Sequence, residues 1–257
     1  MSSDEILTSL EDRVLTIRFN RVAKKNALTL AMYTAMAEAL NAAASNPDVR
    51  VVLFAGQPDC FTSGNDLMDF LKLPPSLSDS PVGHFMEALS GFEKPVIAAP
   101  CGVAVGIGVT LLLHCDLVYL GEKTKLNMPF VSLGICPEFA STYLLPRLMG
   151  HVRSAELLML GEAFNAATAL EYGLVNALLP NDEVEAKARE KALVLAGLAP
   201  SAVRTTKMLL KKWTGARIKE SVGVEASHFV AMLRSPEALE AMTAFMQKRK
   251  PDFSKFA

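Results

Sequence analysis

Glu138 stands in the run Gly134-Ile-Cys-Pro-Glu-Phe-Ala-Ser-Thr142, where most of its neighbours are apolar. Apolar surroundings raise the pKa of a carboxyl group, and a raised carboxyl can take and return a proton near neutral pH. Taken alone, a loop glutamate is more commonly a solvated surface charge. Two glycine-containing turns give it chemical company: Phe61-Thr-Ser-Gly-Asn-Asp-Leu67 and Gly102-Val-Ala-Val-Gly-Ile-Gly108. Glycine admits unusual dihedrals and lets a ligand approach main-chain amides closely. Two converging backbone N–H groups can hold a developing oxyanion, and a helix beginning near Gly108 would add the positive end of its dipole. The plain reading of both segments as simple turns stays open. A dinucleotide site fits poorly, because Gly106-Ile-Gly108 lacks the third glycine of that fingerprint.

Other reactive side chains point elsewhere. Cys60, Cys101, Cys115 and Cys136 form no C-x-x-C pair, so neither a zinc site nor a redox dithiol is expected and no metal is assigned. Cys136 lies two residues before Glu138, but no activating histidine stands in a recognisable relation to it. His114 follows the apolar Leu111 to Leu113 and reads as an interior or interface side chain. Asp116 opens a strand and is expected to anchor backbone amides, with Asp69 a second acid near the site. Lys207, Lys211 and Lys212 read as a solvated helical face.

The elements that must position these groups alternate. Val14 to Phe19 has strand periodicity and is followed by a basic loop, Asn20 to Lys25. A helix is expected from Thr29 through Leu40, closed by Asn46-Pro47-Asp48, then an apolar strand from Val49 to Ala55. Pro95 to Ala99, the second glycine turn, a helix from about Gly108 and a strand Leu117 to Leu120 repeat that order, which predicts an α/β class. Leu73 to Pro81 reads as a surface loop. From Asp182 the chain turns helical, with segments 186–198, 203–213, 218–233 and 236–250.

With 257 residues, 51% of them hydrophobic, the chain can bury a large core, as expected of an ordinary soluble protein. Twenty-six Lys and Arg against 27 Asp and Glu leave no global excess to favour nucleic acid or an anionic membrane, so neither is an expected partner. An acidic start without an apolar segment, apolar runs too short to cross a bilayer, and an ending other than Ser-Lys-Leu give a cytoplasmic expectation.

In order along the chain, Thr62-Ser-Gly-Asn-Asp-Leu67, Pro95 through Gly108, Cys115-Asp116, Met128-Pro129-Phe130, Leu133-Gly134, Pro137-Glu138, Leu170-Glu-Tyr-Gly-Leu-Val175 and Lys248-Arg-Lys-Pro-Asp-Phe253 resemble the crotonase (enoyl-CoA hydratase/isomerase) superfamily. The resemblance implies a crotonase (ClpP-like) fold: a spiral of β-β-α turns, with a core and acyl-CoA site over 1–195 and a helical trimerisation region over 196–257. Family hydratases carry glutamates where this chain has Thr110 and Phe130. The sequence therefore resembles most the monofunctional 3,2-trans-enoyl-CoA isomerases of fatty acid oxidation. This implies Glu138 as the base and the amides of Asn65 and Ile107 as oxyanion donors. Substrate contacts are implied at Lys24, Lys25, Ala27, Thr62, Ser63, Gly64, Asp66, Leu67, Gly106, Phe130, Phe245 and Lys248. No cofactor is implied, coenzyme A being part of the substrate, and a homotrimer or dimer of trimers is the family habit. A hydratase and a non-catalytic CoA-binding member are the alternatives.

Overall fold

The computed structural model describes residues 4–70 and 77–256. Strands β1 (Ile6–Glu11) and β2 (Val14–Phe19) form an antiparallel hairpin whose turn residues, Asp12 and Arg13, have φ of 50° and 66°. Two left-handed residues match the twist of a two-residue hairpin. Helix α1 (Leu30–Ser45) begins where the sequence places it, next to Thr29, which caps it: the Met32 N–H donates to Thr29 Oγ1 at 3.2 Å. Strand β3 (Val51–Ala55) is buried along its whole length, which is why it reads as an unbroken apolar run.

Helices α2 (Leu67–Phe70) and α3 (Pro81–Ser90) precede β4 (Val96–Ala99), β5 (Val103–Val105) and the one-turn helix α4 (Ile107–Thr110). Then come β6 (Leu117–Gly121), β7 (Lys125–Asn127), α5 (Ser141–Met149), α6 (His151–Ala155), β8 (Phe164–Asn165), α7 (Ala166–Glu171) and β9 (Ala177–Leu179). Four longer helices finish the chain: α8 (Val184–Gly197), α9 (Pro200–Lys211), α10 (Gly215–Met232) and α11 (Pro236–Met246).

The larger sheet has the order β1-β2-β3-β4-β6-β9, parallel beyond the first pair; the smaller has the order β5-β7-β8. Successive turns of the chain place one strand in each sheet, β4 with β5 and β6 with β7, before a helical segment returns. This is the spiral of strand–strand–helix turns that the resemblance implies. The core between the larger sheet, α1 and α3 is aromatic, with Tyr33 and Phe85 at 5.5 Å between ring centroids and Phe85 and Phe139 at 6.3 Å.

Three expectations change. Of the predicted loop Leu73 to Pro81, positions 73–76 lie outside the described residues, and Ser80-Pro81 starts α3, with Ser80 Oγ accepting from Gly83 N–H at 3.1 Å. Strand β3 starts two residues later than predicted. Lys207 is not solvated: only 6% exposed, it donates to Asp116 Oδ2 and to the Lys94 carbonyl, both at 2.7 Å. Asp116 in turn accepts the Val96 N–H at 2.8 Å, as expected of an amide anchor at the start of a strand. The pair ties α9 to the edge of β4.

Removing one partner of a fully enclosed ion pair costs roughly 3–5 kcal/mol. Because the Asp116 side chain keeps 24% exposure, Lys207→Met is expected to lose less, about 1–3 kcal/mol, read as a lower urea midpoint with an unchanged slope.

Candidate active site

The two glycine turns are joined through Thr62. Its N–H donates to the Val103 carbonyl at 3.1 Å and its carbonyl accepts from Val105 N–H at 3.0 Å. Its hydroxyl donates to the Asn26 carbonyl at 2.7 Å and accepts from Gly64 N–H at 3.1 Å. Close approach requires glycine at two places. Gly64 has φ 89°, and a Cβ on Gly108 would lie 2.5 Å from Thr62 Cγ2. Among the described residues, the amides of Asn65 and of Ile107, the first residue of α4, donate to no protein acceptor. Both residues line the same cavity. The Asn65 side chain is fixed by Tyr33, whose hydroxyl donates to Asn65 Oδ1 at 2.5 Å.

Glu138 is 3% exposed, and its Oε1 accepts the Thr110 hydroxyl at 2.6 Å. Thr110 closes the helical turn that Ile107 opens, so one short helix carries both the amide and the hydroxyl that holds the carboxyl. Burial pushes the Glu138 carboxyl up to about 8, against the Thr110 hydrogen bond, which pulls it down; the charge of Glu225 adds to the rise. The buried Tyr33 phenol is also raised, by burial first and then by the charge of Glu138.

The backbone after Glu138 is unusual. Phe139 and Ala140 have φ of 60° and 57°, a conformation costing non-glycine residues roughly 1–2 kcal/mol each. Two side chains hold it. His114 Nε2 meets the Phe139 carbonyl at 2.8 Å while its ring stacks on Phe139 at 3.8 Å. Burial drives the His114 pKa down to about 3, so the ring is neutral and Nε2–H is the donor. From α10, Glu225 accepts the Ala140 N–H at 2.5 Å, the Thr142 N–H at 3.0 Å and the Thr142 hydroxyl. Burial lifts the Cys136 thiol to about 11, away from the thiolate form a nucleophile needs.

The cavity has a volume of about 720 Å³ and is mainly apolar. Of the predicted contacts, Ala27, Ser63, Gly64, Asn65, Asp66, Leu67, Gly106, Ile107, Phe130 and Phe245 line it. Thr62 does not; it is fully buried and organises the turns. Asp66 faces the cavity yet is occupied, pairing with Arg21 at 2.8 Å and accepting the Met68 N–H, and its Arg21 hydrogen bond holds its carboxyl low. Lys24 and Lys25 are exposed at the neighbouring loop, whose Lys25 carbonyl accepts Ser63 N–H at 3.0 Å. Lys248 is exposed off the lining, and Arg249 takes the cavity position beside it, paired with Glu240 at 2.6 Å. Asp69 is engaged at the start of α1, accepting Leu30 N–H at 2.7 Å. Glu138 is not on the lining, although Ile135, three residues before it, is.

Tyr33, Glu225 and Arg249 were not singled out from sequence. Glu225 had a signal: it falls on the stripe Ile218, Val222, Glu225, Phe229, whose other members face the core. Among the described residues, no three or more His, Cys, Asp or Glu gather as metal ligands.

A family model described as enoyl-CoA hydratase/isomerase matches residues 9–255. The chain is 33% identical to enoyl-CoA delta isomerase 2 of Rattus norvegicus over 97% of its own length, spanning 65% of that relative. It is 32% identical to 2,3-dehydroadipyl-CoA hydratase of Escherichia coli, over 97% of this chain and 98% of that one. The structure of Pseudomonas aeruginosa OdaA superposes with a TM-score of 0.93 at 53% identity, covering 95% of this chain and 99% of the other. An enoyl-CoA hydratase/isomerase structure from Pseudoalteromonas atlantica has the same score at 35% identity, covering 97% and 100%.

A carboxyl whose folded pKa lies above its unfolded value supports stability below the unfolded pKa, and that support is lost as pH rises through the folded one. For Glu138 the window runs from 4.5 to about 8. Glu138→Gln is therefore expected to melt progressively higher than wild type as pH rises across that window, by up to about 1.4 kcal/mol per pH unit, with the gap closing near pH 4.5. Parallel thermal melts across that range check it.

Proposed function

The chain belongs to the enoyl-CoA hydratase/isomerase family, and from that premise we propose that it is an isomerase that converts 3-enoyl-CoA to trans-2-enoyl-CoA with Glu138 as its single base. The observation that carries this reading is the 2.6 Å hydrogen bond from Thr110 to Glu138. A hydroxyl sits where a hydrating relative would offer a second carboxylate, and Phe130, at the other such position, contributes only apolar surface to the cavity. Adding water calls for one group to activate it and another to deliver a proton to the α carbon. Moving a double bond calls for one group used twice.

In the proposed reaction the thioester carbonyl oxygen accepts from the N–H groups of Asn65 and Ile107. The Glu138 carboxylate takes a proton from C2, and the C2 electron pair delocalises into the carbonyl as an enolate oxyanion. Collapse of the dienolate forms the C2–C3 double bond as C3–C4 loses its own, and Glu138 returns the proton to C4. Each donor to such an oxyanion is worth roughly 2.7–4 kcal/mol. Glu138 is not among the residues lining the cavity, so the proposed reaction requires base and substrate to close on one another, as catalytic contacts often do only in the complex.

The mainly apolar cavity supports an acyl chain as the occupant and a place in fatty acid oxidation. Phe245 lines the cavity while 63% exposed, which supports a homotrimer in which a neighbouring subunit covers that wall. The similarity to a named hydratase over nearly its full length favours hydration as the second reading.

Product analysis separates the two. Purified protein given 3-enoyl-CoA is expected to return an isomer of equal mass, with activity falling at least about 10³-fold in Glu138→Gln, the loss expected for removing an essential base. Gain of one water on trans-2-enoyl-CoA as the main reaction would make it a hydratase.

A further inference from the structure

The carboxylate of Glu225 is 6% exposed and comes from α10, more than 80 residues beyond the loop it serves. It takes three donors from one short stretch: the amides of Ala140 and Thr142 and the hydroxyl of Thr142. Helix α5 begins at Ser141 and has no side-chain cap of its own, because Ala140 stands at that position. Glu225 supplies from outside the cap that the local sequence lacks. It does so over the two left-handed residues that turn the chain immediately after Glu138. Such residues persist only where their surroundings hold them.

A second contact points the same way. Cys136, two residues before Glu138, donates its Sγ–H to the Glu225 backbone carbonyl at 3.7 Å. One residue of α10 therefore grips the chain on both sides of the base. A glutamate used only to fill helix surface would face water, and replacing it with an apolar residue would suit the stripe it occupies. A buried carboxylate with three donors, all from this segment, has a more specific use.

We propose that Glu225 is a positioning residue for Glu138, fixing the 138–142 segment so that the base points at Thr110, and linking the base to the carboxy-terminal helices by a direct carboxylate bridge. The inference rests on Glu138 being the base of the reaction proposed above. It makes α10 part of the site's machinery, although α10 carries no group that touches the reacting atoms in that scheme.

The titratable and charged groups around the base come from four places: Glu225 on α10, Tyr33 on α1, Cys136 on the same segment and neutral His114 behind Phe139. Of these, Glu225 is the group whose negative charge adds to the Glu138 rise, so its neutralisation moves Glu138 down.

The test uses Glu225→Gln and Glu225→Asp, one losing charge and the other losing reach, with Thr142→Val as a milder change at an exposed residue. Active sites are counted by calorimetric binding of CoA, so that loss of folded protein is divided out. Glu225→Gln is expected to lower kcat on 3-enoyl-CoA about 10–100-fold with KM within about twofold, the mark of a displaced catalytic group. Carbon-13 NMR titration of the Glu138 carboxyl, assigned with Glu138→Gln, should show its midpoint moving to lower pH in Glu225→Gln. That titration needs no substrate, so it still decides if the isomerase reading fails. Wild-type kcat per binding site together with an unmoved Glu138 midpoint would overturn the proposal. Should Glu225→Gln fail to fold, Thr142→Val takes its place: reduced kcat at unchanged KM supports the proposal and wild-type kcat overturns it.

Discussion

A carboxyl group that is 3% exposed is costly to charge, and the structure around Glu138 is arranged on that constraint. Among the described residues the Thr110 hydroxyl is the hydrogen-bond partner at its oxygens, and the charge of Glu225, another carboxylate, adds to the cost. The result is an acid whose two protonation states lie close in free energy near neutral pH. A group in that condition gives up and regains a proton with little penalty either way. Moving the same glutamate to the surface would return it to an ordinary, always-ionised carboxylate.

The rest of the site supplies what a lone base cannot. In the proposed reaction, charge that leaves C2 of a substrate must collect on an oxygen, and the amides of Asn65 and Ile107, unpaired among the described residues, are backbone groups that would need no reorganisation to meet it. Their spacing is set by the bonds of Thr62 to the facing turn and by the absence of a Cβ at Gly108. Tyr33 extends the control into the core, since its ring packs on Phe85 and its hydroxyl holds Asn65. Phe85 also packs on Phe139, so core packing links the oxyanion side of the site to the base side.

Sequence alone disclosed the parts whose signal is local. The start of α1 near Thr29, the unbroken apolar run of β3 and the two glycine turns each announce themselves within a few residues, and the carboxylate among apolar neighbours could be picked out with the help of the resemblance. The parts that escaped depend on distance in sequence. Strands β5, β7 and β8 have three residues or fewer, too short for a period of two to register. Lys207 reads as solvated because its partner, Asp116, is 91 positions away and its other neighbours, Lys94 and Phe92, come from the segment that leads into β4. Glu225 sat in plain view on an apolar stripe, but only the fold shows which amides it serves. Thr62, taken from its motif as a substrate contact, proved to be fully buried, because a threonine hydroxyl flanked by tight turns is drawn to backbone partners.

The central claim, that one shielded carboxylate both removes and returns the proton, is tested most directly by isotope transfer. A 3-enoyl-CoA deuterated at C2 is turned over once in ordinary water and the position of the label is read by NMR and mass spectrometry. A single buried base predicts that a substantial share of the deuterium lost from C2 reappears at C4 of the product. Complete loss of that deuterium to solvent, at the earliest time points and before any product returns, would contradict it, because the proton would then pass through water or through a second group.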